Sequence, residues 1–142
     1  MHGNGNAGAN ALTGNSAGNI LSGFDGDDLL QGLGGNDQLL GGAGQDRLVG
    51  GTGSDRLTGG TGDDVFVFVT GQGNDTVVDF DFDAAGGQDL LDVSGCGITA
   101  ANFGAQVLIS QVGVNTVITI GTQTITLTGV NATTIDHSDF GF

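Results

Sequence analysis

A nine-residue repeat occupies residues 5 to 67 without a gap. Its clearest copies are consecutive: GGAGQDRLV at 41–49, GGTGSDRLT at 50–58 and GGTGDDVFV at 59–67. Four earlier copies keep the same register, and a further copy, TGQGNDTVV at 70–78, follows two extra residues. The consensus is G-G-x-G-x-D-x-U-x, where U is a large apolar residue. This spacing limits each unit to one tight turn and one short strand.

The repeat predicts its own local structure. Glycines at the first, second and fourth positions indicate a turn over the first six residues, because glycine tolerates sharp bends and positive φ. The last three residues, x-U-x, have the period of a strand with one inward side chain. The inward side chains are Leu12, Leu21, Leu30, Leu39, Leu48, Leu57 and Phe66.

The sixth-position side chains are the candidate metal ligands. If each unit is half a coil, a full coil takes 18 residues and the sixth-position residues stack along two edges. One edge carries Asn10, Asp28, Asp46 and Asp64, and the other carries Asn19, Asp37, Asp55 and, from the eighth unit, Asp75. Stacked strands lie about 4.7–4.9 Å apart, and calcium takes oxygen ligands at about 2.3–2.6 Å. An ion midway between two stacked turns would therefore reach both.

The repeats are expected to need a cation in order to fold. Each unit buries one large side chain but must order nine residues, several of them glycines with high conformational entropy. Stacked carboxylates also repel one another. We therefore expect the repeat segment to be largely unfolded without a cation.

Charge and composition restrict the partners. All 16 acidic residues are Asp, the only basic side chains are Arg47 and Arg56, and the net charge is −14. Without a basic patch, nucleic acid is excluded as a partner and anionic lipid is disfavoured. No apolar stretch is long enough to span a bilayer, so no membrane insertion is expected. The two arginines are expected to neutralise neighbouring carboxylates.

The chain divides into three parts. Residues 1–22 form an eroded N-terminal coil, because Asn10 and Asn19 replace the sixth-position Asp. Residues 23–78 form the metal-binding roll, and residues 79–142 form a C-terminal capping region. The cap is predicted to contain three antiparallel strands, since apolar and polar residues alternate over 106–112, 115–121 and 122–130.

A further strand is predicted over 77–83, VVDFDFD, with one acidic and one aromatic face. It is expected to cover the open end of the roll. Asp79 or Asp83 is then a candidate to complete a terminal calcium site.

The repeats and the segment GNDTVVDFDFDAAGGQDLLDVSG (73–95) resemble the C-terminal region of RTX, or hemolysin-type, proteins of Gram-negative bacteria. That group includes serralysin-type metalloproteases, lipases and mannuronan C5-epimerases. The resemblance implies an all-β fold, a right-handed parallel β-roll followed by an antiparallel β cap, with several Ca²⁺ ions between its turns. The implied ligands are sixth-position carboxylates and first- and third-position backbone carbonyls. The implied carboxylates are Asp28, Asp37, Asp46, Asp55, Asp64 and Asp75, and the implied carbonyls are those of Gly23, Asp25, Gly32, Gly34, Gly41, Ala43, Gly50, Thr52, Gly59 and Thr61.

The resemblance also implies a function. Members of this group leave the cell through a type I secretion apparatus that reads an uncleaved C-terminal signal, and Asp139-Phe140-Gly141-Phe142 is similar to that ending. The chain is then the C-terminal part of a larger secreted protein, extracellular or at the cell surface. It would be unfolded in a low-calcium cytosol and would fold outside the cell.

Two other functions remain open. A calcium-dependent polysaccharide-binding module, similar to the repeat modules of mannuronan epimerases, would use Arg47 and Arg56. An enzyme is disfavoured, because GNSAG at 14–18 matches G-x-S-x-G only inside the repeat register, without a strand-turn-helix context for Ser16. We therefore expect a non-catalytic module.

Overall fold

The computed structural model describes residues 1–81 and 88–142. These residues form an all-β structure with two sheets. The strands, numbered in chain order, are β1 (His2–Asn4), β2 (Ala11–Asn15), β3 (Ile20–Asp25), β4 (Leu29–Gly34), β5 (Gln38–Ala43), β6 (Arg47–Thr52), β7 (Arg56–Thr61), β8 (Val65–Val69), β9 (Asn74–Val77), β10 (Leu90–Gly95), β11 (Val107–Val112), β12 (Asn115–Ile120), β13 (Gln123–Leu127) and β14 (Phe140–Gly141). One short helix, α1 (Phe103–Gln106), and two 3-10 turns at Ala132–Thr134 and His137–Asp139 also belong to the described residues.

The repeats form a parallel solenoid in which successive strands alternate between the two sheets. The eight-stranded sheet has the order β1-β3-β5-β7-β9-β13-β12-β11, and the six-stranded sheet has the order β14-β10-β8-β6-β4-β2. Neighbouring repeat strands are parallel and in register, so that Leu39 pairs with Leu57 and Leu30 with Leu48. Each nine-residue unit is therefore half a coil, and the predicted parallel β-roll with its C-terminal antiparallel strands is confirmed.

The core is a stack of the eighth-position side chains. From Leu21 to Leu57 every one of them is fully buried, as is Phe66 in the last regular unit. Leu12, in the first coil, is only partly buried. Because one apolar side chain per unit fills the narrow space between the sheets, the core is continuous along the roll.

Glycine at the second and fourth positions has a backbone reason. Gly42 and Gly44 have φ values of 131° and 136°, which side chains with a Cβ rarely adopt. Phe24 and Leu33 stand at second positions without glycine, with φ values of 83° and 77°. Both side chains are about half exposed, so the strain of these two turns is not offset by burial.

The cap extends the eight-stranded sheet. β11, β12 and β13 form a continuous antiparallel meander, as predicted. β13 then pairs in parallel with β9, with Thr126 opposite Thr76. The cap thus covers the sheet edge that the last repeat strand would otherwise leave open.

The prediction of a strand over residues 77–83 is wrong for residues 78–81. β9 ends at Val77, and residues 78–81 are not in a strand. The Asp79 carboxylate accepts hydrogen bonds from the backbone N–H groups of Gly59 and Gly60. Phe80 is buried with its ring centroid 6.3 Å from that of Phe66. Asp79 and Phe80 therefore hold this segment against the last repeat units without a strand, while Phe82 and Asp83 lie outside the described residues.

Two strands C-terminal to the repeats, β10 and β14, extend the six-stranded sheet. β10 pairs in parallel with β8 on one side and with β14 on the other. The C-terminal strand is held by an aromatic cluster, in which the Phe103 ring centroid lies 4.7 Å from that of Phe140 and 5.7 Å from that of Phe142. In the part of the chain that the structure describes, no helix has the length and apolar character needed to cross a membrane.

Candidate metal centre

The sixth-position side chains form two ladders, one along each edge of the roll. On the first edge, the Asp28 N–H donates to Asp46 Oδ1 and the Asp46 N–H donates to Asp64 Oδ1, each at 2.8 Å. On the second edge, the Asp37 N–H donates to Asp55 Oδ1 at 2.8 Å. Each carboxylate therefore reaches back to the backbone of the preceding coil, and the predicted stacking order is present.

The first coil joins the same two ladders, although its sixth-position side chains are amides and not carboxylates. The backbone N–H groups of Asn10 and Asn19 donate to Asp28 Oδ1 and Asp37 Oδ1, both at 2.7 Å. The first coil is thus docked on the roll by the carboxylates of the second. It contributes no sixth-position charge of its own.

Both ladders continue beyond the regular repeats. The Asp55 N–H donates to Asp75 Oδ1 at 3.0 Å, which places Asp75 in the second ladder as expected. The Asp64 N–H donates to Asp89 Oδ1 at 3.0 Å, and Asp89 is 3 % exposed. Asp89 was not among the predicted site residues because it follows Asp64 by 25 positions instead of 18. The sequence GQDLLD (87–92) could have identified Asp89, because it repeats the G-x-D-x-U part of the nine-residue consensus.

One oxygen of each regular ladder carboxylate has no partner. The atoms concerned are fully buried and accept no hydrogen bond from the residues that the structure describes: Oδ2 of Asp28, Asp37, Asp46, Asp55 and Asp64, and Oδ1 of Asn19. Buried polar atoms are normally paired, and an unpaired buried carboxylate oxygen is costly. A bound cation along each edge is the simplest way to satisfy these atoms.

Backbone carbonyls lie beside these unpaired oxygens, at the first position of the next coil. A Cβ on Gly23 would overlap Asp28 Oδ2 and lie 2.7 Å from the Gly41 carbonyl oxygen. A Cβ on Gly41 would likewise overlap Asp46 Oδ2 and lie 2.5 Å from the Gly59 carbonyl oxygen. First-position glycine is therefore required by space rather than by φ. It leaves a cradle lined by carboxylate and carbonyl oxygens.

The same arrangement recurs at Gly32 and, with an amide in place of the carboxylate, at Gly14, whereas the nearest atoms at Gly50 and Gly59 are those of Asp55 and Asp64 alone. The Gly50 carbonyl lies beside Gly32 and Asp37 Oδ2, and the Gly32 carbonyl lies beside Gly14, where a Cβ would be 2.8 Å from Asn19 Oδ1. Oxygen-only donor sets of this type suit a hard cation such as Ca²⁺. The described residues include no group of three or more His, Cys or acidic side chains able to hold a metal. The cradles instead pair single carboxylates with backbone carbonyls.

The predicted third-position carbonyls have a different environment. The Gly26 N–H donates to the Ala43 carbonyl at 2.7 Å, and the Gly44 N–H donates to the Thr61 carbonyl at 2.9 Å. The remaining third-position residues lie in paired strands, where Asp25 is opposite Ala43 and Gly34 is opposite Thr52. These carbonyls could bind a cation only through a second lone pair, so their role as ligands stays a prediction.

The electrostatics of the ladders oppose the ionised state. Burial, together with ionised Asp37, raises the pKa of Asp55 to about 6, although the backbone N–H of Asp37 acts in the other direction. Burial and the charges of Asp89, Asp46 and Asp79 raise the pKa of Asp64 to about 7. Burial and ionised Asp55 raise the pKa of Asp75 to about 7. A cation between the coils would reverse this by favouring the charged forms.

The two arginines lie on opposite faces of the roll. Arg47 Nη2 lies 3.1 Å from Asp92 Oδ2, on the outer face of the six-stranded sheet. It therefore neutralises Asp92 and not a ladder carboxylate. Arg56 is exposed on the outer face of the eight-stranded sheet, where it pairs across strands with Gln38 and Thr76. No ion pair of Arg56 is formed with any residue in 1–81 or 88–142.

Known proteins match this arrangement in sequence and in fold. The family model of the RTX calcium-binding nonapeptide repeat (4 copies) matches residues 4–39 and 40–77. Among solved structures, the extracellular lipase LipA from Serratia marcescens is similar at 17% sequence identity with a TM-score of 0.54. That match covers 97% of this chain but only 39% of the lipase, and it bears on the fold alone. No curated protein sequence matches the chain.

Two repeat modules of the Azotobacter vinelandii mannuronan C5-epimerase are also similar. The AlgE6R3 subunit has 25% identity and a TM-score of 0.46, over 97% of this chain and 80% of that one. The AlgE6R2 subunit has 30% identity and a TM-score of 0.48, over 100% of this chain and 91% of that one.

Proposed function

Because this chain belongs to the family of RTX calcium-binding nonapeptide repeats, we propose that it is a calcium-triggered folding and secretion module of a larger secreted protein. Calcium binding is the family property, and the trigger and the export role are the proposal. The module is non-catalytic, and its task is to be unfolded where calcium is scarce and folded where calcium is abundant.

The observation that carries this proposal is the row of buried carboxylate oxygens without partners. Five Asp Oδ2 atoms are sealed from water in the two ladders, and each lies beside the first-position glycine of its own unit. A fold that buries unpaired charge in this way is unstable by itself. Calcium supplies the missing positive charge and the missing oxygen partner together.

The proposed ligands follow from the cradles. Each ion would take the Oδ2 atom of a sixth-position Asp and the first-position carbonyl of the next coil, with third-position carbonyls as further candidates. A ligand that binds only the folded state stabilises that state by mass action, by about 2.7 kcal/mol at a concentration of 100 times Kd for each independent site. Several sites together would convert an unfolded chain into a stable roll.

Calcium-dependent folding would serve export from the cell. In a low-calcium cytosol of a Gram-negative bacterium, the mutual repulsion of the Asp residues would keep the repeats extended and able to pass through the type I secretion apparatus. Outside the cell, calcium would fold them and prevent their return. The segment 139–142 would serve as the signal while the chain is unfolded.

The first experiment is far-ultraviolet circular dichroism of the chain in chelator, then titrated with calcium, with magnesium as the control ion. We expect a coil spectrum in chelator and a cooperative change to β-structure with calcium only, because magnesium demands tighter octahedral geometry and retains water. A β-spectrum already present in chelator would contradict the folding switch and the export role built on it.

A second candidate function is calcium-dependent binding of an acidic polysaccharide. The observation in its favour is Arg56, an exposed cation whose cross-strand neighbours on the outer face, Gln38 and Thr76, carry no charge. Titration with alginate oligomers at fixed calcium tests it, with Arg56→Gln as the variant. Saturable, salt-sensitive binding that the variant weakens would support the candidate, and no binding by the parent chain would exclude it.

A further inference from the structure

The cap ends in an open strand edge. Among residues 1–81 and 88–142, β11 is the outermost strand of the eight-stranded sheet and pairs only with β12. Its six residues, VLISQV, contain no proline, no charge and no shift in register. Prolines, charged side chains and register shifts usually protect an edge strand, because a free row of N–H and C=O groups can pair with another strand.

The free groups of β11 can be identified from the hairpin. Val112 and Asn115 flank the two-residue turn Gly113–Val114, so they form a hydrogen-bonded pair. Pairs alternate along an antiparallel ladder, which makes Ser110 opposite Val117 the next hydrogen-bonded pair. The backbone groups of Ile109 and Gln111 therefore point to the open edge.

The same edge exposes apolar side chains. Leu108 and Val112 are 63% and 58% exposed, and Val114 in the adjoining turn is 76% exposed. Leu108 and Val112 lie on the outer face of β11, on either side of Ser110. Three large aliphatic side chains next to an unpaired strand edge form a surface that a partner strand would cover.

Charge indicates which partner this surface fits. Residues 93–135 carry no charged side chain, although the whole chain has a net charge of −14. Within the sheet, the nearest carboxylate is that of Asp75 on β9, three strand spacings or about 14 Å away, against a screening length of about 8 Å at physiological salt. Off the sheet, Asp136 follows by four residues Ala132, whose N–H donates to Gln111 on β11. The β11 edge is thus a place where two copies of this strongly acidic chain can meet without strong repulsion.

We propose that two copies of this chain associate through β11 in an antiparallel, two-fold symmetric strand pair. Centring the pair on Ser110 places Ile109 opposite Gln111 of the second copy, which uses the free backbone groups on both strands. On the outer face, Leu108 of each copy then lies opposite Val112 of the other. The contact closes on itself, so it gives a dimer and not a fibre.

The test measures the mass of the calcium-loaded chain by sedimentation equilibrium over a range of concentrations. We expect a twofold increase in mass, and a return to the single-chain mass in the double variant Leu108→Lys, Val112→Lys. The matched control is Thr124→Lys, Thr126→Lys, which adds the same charge to the same face two strands away and should still dimerise. A parent chain that remains monomeric, or equal effects of the two double variants, would overturn the proposal.

A cross-link tests the register without weakening the edge. Residues opposite each other in a non-hydrogen-bonded antiparallel pair have Cα atoms about 4.5 Å apart, within the range for a disulfide. Ser110→Cys should therefore form a covalent dimer on mild oxidation. The parent chain, whose only thiol is Cys96, and Thr122→Cys in an exposed turn should not. Equal cross-linking of Thr122→Cys and Ser110→Cys would refute the register, and neither experiment depends on the proposed secretion role.

Discussion

Replacing Asp46 by Asn should have opposite effects on stability with and without calcium. Asp46 lies in the middle of the first ladder, where Oδ1 accepts the Asp28 N–H at 2.8 Å and Oδ2 is buried without a partner. Asn keeps the shape and one acceptor oxygen but removes the negative charge. The variant therefore separates the structural hydrogen bond from the charge that a cation needs.

In saturating calcium, the variant should lose stability. Calcium affinity depends on the number of charged ligands, so the site beside Asp46 should be emptied at a calcium concentration that still fills the others. A site occupied at 100 times its Kd contributes about 2.7 kcal/mol to the free energy of unfolding. We expect a loss of roughly that size and one fewer bound ion.

In chelator, the same variant should gain stability. Two carboxylates one strand spacing apart, about 4.8 Å, repel by about 3 kcal/mol at an effective dielectric constant of about 20. Loss of a charge-assisted hydrogen bond in favour of a neutral one costs about 1 kcal/mol. With one ionised neighbour of Asp46, the net gain is then about 2 kcal/mol.

The assay is urea unfolding followed by circular dichroism, in calcium and in chelator with an osmolyte that populates the folded state, together with calorimetric counting of ions. Asp63→Asn is the matched control. Asp63 Oδ1 also accepts a backbone N–H from the next coil, that of Gln88, but the side chain is exposed. A change of the same sign in both conditions, or equal changes in the two variants, would refute the assignment of Asp46 Oδ2 to a cation site.

Three further outcomes are expected. In chelator, folding should improve as the pH falls, because the pKa values of Asp55 (about 6) and Asp64 (about 7) are raised in the folded state. The resulting stability is complete below the usual pKa near 3.8 and is lost as the pH rises through 6 to 7. A β-signal that falls on acidification would contradict this prediction. Gly41→Ala should abolish one calcium site, because its Cβ would occupy the oxygen cradle, whereas Gly104→Ala, with nothing within 4 Å, should bind like the parent; ion counting compares the two. Asn19→Asp should add one bound ion in the same assay, because Asn19 Oδ1 is already buried without a partner, and an unchanged count would show that the first coil lacks a usable cradle.

The repeat alone was sufficient to predict the roll. Every ninth residue has the same role, so that the inward position of Leu48 and the stacking of Asp28 on Asp46 follow from a single register. Local rules decide such features: glycine permits the turn, and an alternating triplet forms the strand. The three alternating segments of the cap were predictable for the same reason.

The repeat could not reveal where the pattern departs from its period. Asp89 joins the first ladder after a 25-residue interval, and Val77 is the end of a strand that the alternating sequence extends to residue 83. In both cases a distant contact decides the path of the chain. Asp79 binds the Gly59 and Gly60 backbone, and Phe80 packs near Phe66.

The sequence by itself determined the coil, the leucine stack and the two rows of sixth-position side chains, because these depend only on residues within one period. Only the tertiary structure decided that Oδ1 of each regular ladder Asp is held by the preceding coil while Oδ2 stays buried without a partner. It also decided that first-position glycines are required by space, and that β13 joins β9 and leaves β11 as the open edge. These features depend on atoms from different coils or from the cap, and no single repeat contains them.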